Sequence, residues 1–322
     1  MIKIAILTGG DSAEYEISLQ SANVVLDNLD PEKYEGTIIH LKNSEFNAII
    51  DGNYYVVDKN NFTVKQTNSV LSFDYVFMAL HGPPAENGDI QNFFDNLNIP
   101  YSSCNGAVSA MTFNKFLCNH KLISLGFKCP NSICLNNGDK IDNNEIIKEI
   151  GLPCFIKPNQ SGSSFGVSKV KSNSQITEAI KLALEHDNKV LIEQFIDGVE
   201  ISCGVGILHN KITAFPITEI VSQNDFFDFE AKYKGLSKEI TPARISKKIT
   251  GEVQKITEAV YSKMNLRGIS RIDFIIMNDI PYIIEINTIP GLSNESIIPK
   301  QAKELGITLM QLFDHCIEST IK

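Results

Sequence analysis

GISRIDFIIMNDIPYIIEIN, residues 268–287, holds two apolar runs separated by a short polar turn. Runs of Ile and Phe bounded by turn residues predict two neighbouring β-strands, at 268–277 and 281–288. Polar side chains interrupt these runs at alternate positions: Arg271 and Asp273 in the first, Glu285 and Asn287 in the second. Because side chains alternate between the two faces of a strand, each polar pair lies on one face.

These polar residues predict a metal site. Carboxylates buried among Ile and Phe are costly unless they are paired or bind a metal, and two carboxylates with an amide oxygen suit Mg²⁺ that carries phosphates. Asp273 faces Glu285 in a direct hairpin only if the loop has an odd number of residues, a condition that residues 278–280 satisfy. A two-residue turn at 278–279 would put the polar pairs on opposite faces and remove the metal site. The alternative is an Arg–Asp ion pair beside an exposed sheet face.

KPNQSGSSFGV, residues 157–167, lies between two further apolar strands. A short loop of Gly and Ser between strands exposes successive backbone N–H groups, which favours phosphate binding, and Lys157 would add positive charge. The Walker A pattern GxxxxGK[ST] is absent, and a strand rather than a helix follows the loop. Taken alone, the segment is equally compatible with a polar hairpin turn.

The rest of the chain predicts an α/β protein of three parts. Strands and helices alternate up to residue 102, which predicts a parallel sheet whose ligands collect beyond the carboxyl ends of its strands. The part from 103 to 192 mixes helices and strands, and the part from 193 to 322 is strand-rich, as in α+β domains. The other predicted strands are 2–7, 36–42, 74–80, 132–135, 153–157, 165–170 and 189–194, with hairpins over 53–65 and across 209–210. The predicted helices are 15–29, 89–97, 105–111, 114–125, 143–149, 174–186 and 246–264, followed by two C-terminal helices.

Composition excludes several classes of protein. The chain has 322 residues and a formal net charge of −9, so it lacks the basic face that nucleic-acid binding requires. No apolar run approaches the roughly 20 residues that cross a bilayer, and the apolar start at 1–7 is too short for a signal peptide. The 7 cysteines form no CxxC pair and have no His at zinc-site spacing, which indicates reduced thiols in a cytoplasmic protein.

Loops that follow predicted strands carry further polar residues. Glu14 follows the first strand, His81 follows the strand at 74–80, and residues 290–296 follow the second polar strand. Each is weak alone, because Glu14 also suits the N-terminus of the next helix and a lone His after a strand is usually a structural hydrogen-bonding group.

Together and in this order, these segments resemble the ATP-grasp ligases, and most closely the D-alanine–D-alanine ligase family. The resemblance runs from Lys3 to Leu312, and GSSxGV combined with EINTxPGxxxxS makes it very specific. It implies a three-domain ATP-grasp architecture: a Rossmann-like substrate domain (1–102), a central ATP-grasp subdomain (103–192), and a C-terminal ATP-grasp subdomain with the metal and substrate sites (193–322). The motifs are GGDSAEYEIS (9–18), HGPPAENGDIQ (81–91), IPYSSCNGAVSAMTFNK (99–115), IKPNQSGSSFGVSKV (156–170), FEAKY (229–233) and RIDFII…IIEINTIPGLSNES (271–296).

The family's reaction makes chemical sense of these residues. ATP phosphorylates the carboxylate of one D-alanine, and the amine of a second D-alanine attacks the acylphosphate. The tetrahedral intermediate collapses to the dipeptide used in peptidoglycan, and ADP and phosphate are released. The resemblance thus implies ATP and two Mg²⁺ ions as cofactors, with Mn²⁺ as a substitute. It further implies D-alanine and ATP as partners, a cytoplasmic homodimer, and no nucleic-acid or membrane partner.

By position in the motifs, one group of residues matches the family's nucleotide and metal ligands. The nucleotide ligands are Lys115 and Lys157 at the phosphates, Ser164 in the glycine–serine loop, Lys232 as a mobile-loop lysine at the γ-phosphate, Glu193 and Ile196 at adenine, and Glu200 at the ribose. The ligands of the two Mg²⁺ ions are Asp273, Glu285 and Asn287. Phosphoryl transfer needs mainly positioning and positive charge, which this set supplies.

A second group matches the residues around the two substrates. Arg271 and the backbone N–H of Gly291 match the oxyanion hole for the tetrahedral intermediate. At the substrates the matches are Glu14 for the ammonium of the first D-alanine, Ser163 and Tyr233 in the same network, His81 near the first substrate, and Ser296 for the carboxylate of the second D-alanine. The polar, aromatic segment 223–240 matches a loop that covers the substrates and excludes water, with a disordered surface loop as the alternative.

Rival functions are weaker. A D-alanine–D-lactate or D-alanine–D-serine ligase is the nearest, and Tyr233 within FEAKY favours the dipeptide-forming members. A non-catalytic nucleotide-binding protein would be expected to lack a metal ligand or Arg271, and a Rossmann oxidoreductase would need GxGxxG, which is missing. The chain departs from the family pattern at Asn87, where Asp is usual, at Tyr15, where a basic residue is common, and at Ile297, where Leu is usual. None of these removes a charge that the mechanism requires.

Overall fold

The structure, a computed structural model, describes residues 1–67, 69–162, 165–222 and 237–321. A seven-stranded sheet occupies the N-terminal region. Its strands are β1 (Ile2–Gly9), β2 (Tyr34–Lys42), β3 (Glu45–Ile50), β4 (Asn53–Asp58), β5 (Thr63–Lys65), β6 (Val70–Leu71) and β7 (Tyr75–Met78). Two helices accompany it, α1 (Tyr15–Asp27) and α2 (Asp89–Leu97).

This sheet is mixed, in the order β6-β5-β4-β3-β2-β1-β7. β1 pairs in parallel with β2 and β7, as predicted, and β4 and β5 form the hairpin predicted over 53–65. The pairings β2–β3, β3–β4 and β5–β6 are also antiparallel, so the prediction of a parallel sheet is wrong for these strands. The reason is connection length. Two-residue turns at 43–44 and 51–52, with positive φ at Asn43, Ser44, Asp51 and Gly52, join the strands β2, β3 and β4. Such turns connect only antiparallel neighbours.

The central region carries a four-stranded antiparallel sheet. Its strands, in the order β10-β9-β11-β8, are β8 (Ser132–Asn136), β9 (Cys154–Pro158), β10 (Ser168–Val170) and β11 (Lys189–Gln194). The helices are α3 (Gly106–Phe113), α4 (Lys115–Ser124), α5 (Asn143–Ile150) and α6 (Asn173–Leu184). The side chain of Asn114 accepts a hydrogen bond from the Leu117 N–H at 3.0 Å, which caps α4 and makes Lys115 its first residue. Predicted residues Ser163 and Ser164, in the loop before β10, lie outside the described residues.

The third region is a five-stranded antiparallel sheet in the order β14-β13-β12-β15-β16. Its strands are β12 (Val199–Leu208), β13 (Lys211–Ser222), β14 (Ser237–Ile240), β15 (Ser270–Met277) and β16 (Ile280–Asn287). The helices are α7 (Lys247–Lys263), α8 (Ile297–Leu305) and α9 (Leu309–Thr320). Val253 and Val260 of α7 pack in one core with Ile272 and Phe274 of β15, which leaves the opposite face of the sheet for polar residues. Predicted residues Lys232 and Tyr233, with most of the predicted covering segment, fall outside the described ranges.

The β15–β16 hairpin corrects the predicted loop length and keeps its consequence. The turn has two residues, Asn278 and Asp279, both with positive φ, so the expectation of a three-residue loop is wrong. Near the turn Phe274 pairs with Ile283, but beyond a β-bulge Asp273 pairs with Glu285. Ile284 is the extra residue, and it shifts the alternation by one position. Asp273 therefore faces Glu285 after all, because a bulge in the strand replaces the odd residue expected in the loop.

The last helix links the first and third regions. Phe313 of α9 packs edge-on against Phe77 of β7, with ring centroids 5.4 Å apart. Asp314 of the same helix binds Lys33 Nζ at 2.6 Å, next to the start of β2. None of the helices in the described ranges is long and apolar enough to span a bilayer.

Candidate active site

A cavity of about 520 Å³ lies where the three regions meet. Every predicted site residue that the structure describes lines it: Glu14, His81, Lys115, Lys157, Glu193, Ile196, Glu200, Arg271, Asp273, Glu285, Asn287, Gly291 and Ser296. They come from loops after β1, β7, β11 and β16, from α4, and from strands of the central and C-terminal sheets. The cavity thus collects residues that are up to 282 positions apart in sequence, from Glu14 to Ser296.

The carboxylate of Asp273 accepts four hydrogen bonds from side chains around the cavity. Arg271 donates from Nε to Oδ1 at 2.9 Å and from a terminal nitrogen to Oδ2 at 2.8 Å, a bidentate pair. Ser202 donates to Oδ1 at 2.6 Å, and Asn287 donates to Oδ2 at 2.9 Å. Burial alone would lower the pKa of Arg271, but the facing Asp273 outweighs it and the pKa is raised. The guanidinium is therefore a fixed positive charge on the cavity wall.

Lys115, in the central region, contacts Glu285, one of the predicted metal ligands on the C-terminal sheet. Its Nζ lies 2.7 Å from Oε1 of Glu285 and donates to the Ser161 carbonyl at 3.0 Å. Burial would lower the pKa of Lys115, but the pair with Glu285 outweighs this effect and raises it. The ammonium thus sits charged between the glycine–serine loop and β16, where a phosphate would replace the carboxylate as its partner.

Lys157 and Glu193 form a second buried pair. Lys157 Nζ lies 2.8 Å from Oε1 of Glu193, whose side chain is only 3% exposed. Asn119 of α4 donates to the other oxygen of Glu193 at 3.1 Å. Each oxygen of this carboxylate has a second lone pair, so Glu193 retains capacity to accept from a ligand. Asn119 was not predicted, although its position four residues after Lys115 puts both on one helix face.

Metal binding by Asp273, Glu285 and Asn287 would require their present hydrogen bonds to change. In the ranges that the structure describes, no group of three or more His, Cys, Asp or Glu side chains is arranged to hold a metal ion. Four hydrogen bonds occupy the lone-pair positions of the Asp273 carboxylate, and Lys115 holds Glu285. The donor chemistry nevertheless fits Mg²⁺, because Asp273, Glu285 and the amide of Asn287 bring hard oxygens to one face. Arg271 and Lys115 would have to release these oxygens first.

His81 is buried at 3% exposure and acts as a brace. Its Nδ1 donates to the Ile289 carbonyl at 3.0 Å, since a carbonyl only accepts. Nε2 lies 2.9 Å from the Ser21 hydroxyl oxygen, which in turn accepts from the Leu292 N–H at 3.1 Å. Burial lowers the pKa of His81, so the ring is neutral and Nε2 accepts from Ser21. These bonds hold the backbone on both sides of Gly291.

Two carboxylates stand together at the N-terminal side of the cavity. Glu14 lies next to the glycine–serine loop, because a methyl group added at Gly162 would come within 3.3 Å of its Oε2. Glu86 lines the cavity too, and burial, followed by the charge of Glu14, raises its pKa to about 8. Sequence analysis did not select Glu86; its place in the polar loop after a strand was the available signal.

Gly291 and Ser296 approach each other at the far side of the cavity. A methyl group at Gly291 would lie 2.8 Å from the Ser296 hydroxyl oxygen, closer than van der Waals contact. Ser293 and Ser296 are hydrogen-bonded through their hydroxyls at 2.8 Å. Ser296 is the residue before α8, so the free N–H groups at the start of that helix open beside it. This corner combines donors suited to an anion.

Comparison with known proteins agrees with this geometry. The family model described as D-ala D-ala ligase N-terminus matches residues 3–104, and the one described as D-ala D-ala ligase C-terminus matches residues 123–318. A D-alanine–D-alanine ligase of Flavobacterium johnsoniae is 48% identical over 100% of both chains. One of Christiangramia forsetii is 44% identical and covers 99% of this chain and 98% of its own length.

Solved structures agree over the same length. The crystal structure of the VanG D-Ala:D-Ser ligase from Enterococcus faecalis superposes with a TM-score of 0.87 at 30% identity, covering 98% of each chain. A D-alanyl-alanine synthetase A from Vibrio cholerae gives 0.88 at 28% identity, covering 99% of this chain and 98% of that one. A D-alanine–D-alanine ligase from Bacillus anthracis complexed with ATP gives 0.79 at 27% identity, covering 99% and 96%.

Proposed function

The chain belongs to the D-alanine–D-alanine ligase family, and from this premise we propose how its residues carry out the ATP-dependent joining of two D-alanine molecules. The chain is an ATP-dependent ligase with an α/β, ATP-grasp fold, and its product serves cell-wall synthesis. The observation that carries the residue assignment is the convergence of Lys115, Glu285 and Arg271, from two motifs that are distant in sequence, on one cavity.

Activation of the first substrate depends on exchanging ion-pair partners. A carboxylate becomes a good electrophile only when phosphate makes its oxygen a leaving group, and phosphoryl transfer needs concentrated positive charge. Lys115 and Lys157 turn from their carboxylate partners to the phosphates, with Ser164 and Lys232 assigned beside them. Glu193 and the backbone of Ile196 bind adenine, and Glu200 binds the ribose.

Asp273, Glu285 and Asn287 would hold Mg²⁺; the family resemblance implies two ions, with Mn²⁺ as a substitute. Bound there, the metal would neutralise charge on the β- and γ-phosphates. The release of Glu285 by Lys115 therefore serves two purposes, because it frees a metal ligand and a phosphate ligand together. Ser202 stays on Asp273 and fixes the orientation of that carboxylate.

Condensation takes place between Arg271 and Gly291. As the second amine attacks, negative charge develops on the former carboxylate oxygen, and the guanidinium and the Gly291 N–H stabilise it. His81 does not need to transfer a proton for this: its two ring nitrogens brace the backbone around Gly291 and keep that N–H in place. We therefore assign His81 a positioning role.

The two substrates bind at opposite ends of this arrangement. Glu14 takes the ammonium of the first D-alanine, with Ser163 and Tyr233 in the same network. Ser296 and the start of α8 take the carboxylate of the second D-alanine, because a helix N-terminus and a hydroxyl suit an anion. The segment 223–240 covers both and keeps water from the acylphosphate.

A substrate panel tests this function. Purified protein with ATP and Mg²⁺ should release phosphate with D-alanine and not with L-alanine, and the product should be D-alanyl-D-alanine. D-Lactate and D-serine, offered with D-alanine, should give only minor products. Depsipeptide or D-alanyl-D-serine as the main product at neutral pH would assign the chain to another member of the family.

We also propose the domain division, the oligomeric state and the location of the protein. The division at 102 and 192 is supported by the three sheets, although β11 continues to Gln194 and α9 packs on the first sheet. A homodimer follows from the resemblance alone. A cytoplasmic location is proposed because the reaction consumes ATP.

A further inference from the structure

Lys300 is a cation at an unfavourable position that nonetheless has a defined set of partners. It is the fourth residue of α8, in the first turn, where the helix dipole favours negative rather than positive side chains. Its Nζ donates to the Glu295 carbonyl at 2.6 Å and lies 3.1 Å from Oε2 of Glu239. A third contact, 3.5 Å to the carboxylate of Glu295, contributes little because that side chain is 92% exposed.

Glu239 is the partner that matters for the cavity. It lies on β14, paired in register with Ile220, and its side chain lines the cavity and is 20% exposed. Its charge reaches Arg271: burial lowers the pKa of the guanidinium, and Asp273, then Glu285, then Glu239 raise it. Glu239 therefore places a negative charge on the cavity wall that also carries Arg271, the residue assigned to the oxyanion.

The same lysine touches the backbone that leads into Ser296. The carbonyl that it binds belongs to Glu295, the residue immediately before Ser296, and Glu295 and Ser296 both line the cavity. Lys300 therefore anchors the backbone just before the N-terminus of α8 and also offsets the negative charge of Glu239. Without Lys300, an uncompensated Glu239 would oppose any anion bound at Ser296.

We propose that Lys300 is a positioning residue for the second substrate: it offsets the charge of Glu239 and anchors the Glu295 carbonyl, so that the corner at Ser296 accepts a carboxylate. This inference rests on the proposed function, since it takes the anion to be the carboxylate of the second D-alanine. Lys300 itself touches neither the reacting atoms nor the nucleotide phosphates in this assignment.

Steady-state kinetics at saturating ATP, with the D-alanine dependence resolved into its two binding steps, test the proposal. Lys300→Met should raise the constant for the second D-alanine about tenfold, because like charges set side by side in a partly exposed site disfavour binding by this order. The constant for the first D-alanine should stay within about twofold of wild type, and kcat should stay within about threefold. Lys300→Arg, which keeps the charge, should stay close to wild type.

The double variant Lys300→Met/Glu239→Gln separates charge from packing. If Glu239 is what Lys300 offsets, removing both charges should return the second constant to within about threefold of wild type. Lys303→Met, on the exposed side of the same helix, is the matched control and should change neither constant. A second constant unchanged in Lys300→Met, or not restored in the double variant, overturns the proposal. Wild-type protein that forms no D-alanyl-D-alanine would instead overturn the proposed function.

Discussion

At the scale of single residues, three cationic side chains of the cavity are each paired with a carboxylate. Lys115 pairs with Glu285, Lys157 with Glu193, and Arg271 with Asp273, at 2.7, 2.8 and 2.8 Å. Buried ions need partners, because an unpaired charge in a poorly solvated site is strongly destabilising. In the proposed reaction each pair contains a side chain that binds substrate, nucleotide or metal. Ligand binding therefore replaces the ion-pair partner of that side chain with the ligand.

Lys115→Met should therefore tighten metal binding by the nucleotide-free protein. Removing the ammonium removes a competing cation from Oε1 of Glu285, so the apparent Mn²⁺ affinity should rise several-fold, while the KM for ATP rises by at least about tenfold as a phosphate ligand is lost. Electron paramagnetic resonance of free Mn²⁺ measures the first effect without requiring turnover. Lys121→Met, an exposed lysine of α4, is the control. Weaker Mn²⁺ binding in Lys115→Met would show that the pair does not compete with the metal.

At the scale of elements, a β-bulge decides the chemistry of the C-terminal sheet. The two-residue turn at 278–279 by itself would put even-numbered residues of β16 on the cavity face. The extra residue Ile284 changes the alternation, so that Glu285 and Asn287 face Asp273 and Arg271. The bulge therefore brings the predicted metal ligands Glu285 and Asn287 to the cavity face of the hairpin.

A pair of length variants tests this role. Deleting Ile284 removes the bulge but leaves Glu285 at the next cavity-facing position, so the variant should keep measurable ligase turnover. Inserting one Ile between Ile284 and Glu285 turns Glu285 and Asn287 toward the core, where an unpaired carboxylate is costly, and should reduce turnover by at least about 10²-fold. Turnover by phosphate release and folding by circular dichroism are the measurements. Equal damage in both variants would contradict the register argument.

At the scale of the whole molecule, close backbone contacts fix the sheets around the cavity. Gly268, with φ of +64°, stands before β15, and a methyl group there would lie 1.8 Å from the Ser102 carbonyl. Tyr261 donates to the Gly268 carbonyl at 2.8 Å, and the Arg267 N–H approaches Cys104 Sγ at 3.2 Å. The N-terminal region therefore meets the C-terminal sheet through direct backbone contacts.

Gly268→Ala should lower the free energy of unfolding by about 3 kcal/mol or more, since it adds both a steric clash and an unfavourable φ. Gly251→Ala is the matched control: it lies within α7 with open space around it and should stabilise by roughly 1 kcal/mol through helix propensity. Urea denaturation measures both changes. A Gly268→Ala variant as stable as wild type would mean that the two regions can move apart at this contact.

The crowding of carboxylates also makes the stability of the ligand-free protein depend on pH. Burial raises the pKa of Glu86 to about 8 from an ordinary 4.5, so the folded state binds more protons than the unfolded state between these values. Stability from this group is complete below pH 4.5 and is lost as pH rises through 8, by up to about 1.4 kcal/mol per pH unit. Glu86→Gln removes this loss.

The thermal midpoint of Glu86→Gln should therefore exceed that of wild type, and the difference should grow between pH 5 and pH 8. His81, whose pKa burial lowers, contributes stability that is lost below pH 6.5, but it does so equally in both proteins and cancels in the comparison. Glu149→Gln, an exposed carboxylate on α5, is the control. A difference that is constant with pH would show that Glu86 is ionised in the folded protein.

The sequence by itself predicted most of the helices, the two polar strands, and a set of residues that the structure brings to one cavity, because local periodicity and motifs carry this information. The roles of those residues stay predictions. The covering segment and its Lys232 and Tyr233, with Ser163 and Ser164, stay predictions, since they lie outside the described residues. Local pattern predicted the hairpin over 53–65 but not the antiparallel pairing of β2, β3 and β4, which follows from two-residue turns with positive φ at 43–44 and 51–52.

Only the tertiary structure decided which charges meet. Asn119 reaches Glu193 across 74 positions and Lys300 reaches Glu239 across 61, distances over which sequence pattern carries no information. The sequence does not reveal the bulge at Ile284 either. Ile283 and Ile284 are the same residue type, so the sequence gives no sign that one of them has no partner on β15. The face of the sheet that a carboxylate occupies depends on how its strand pairs with the neighbouring strand, which only the folded sheet fixes. That a buried carboxylate requires a cation, a metal or hydrogen-bond donors follows from its charge, and the sequence alone shows this.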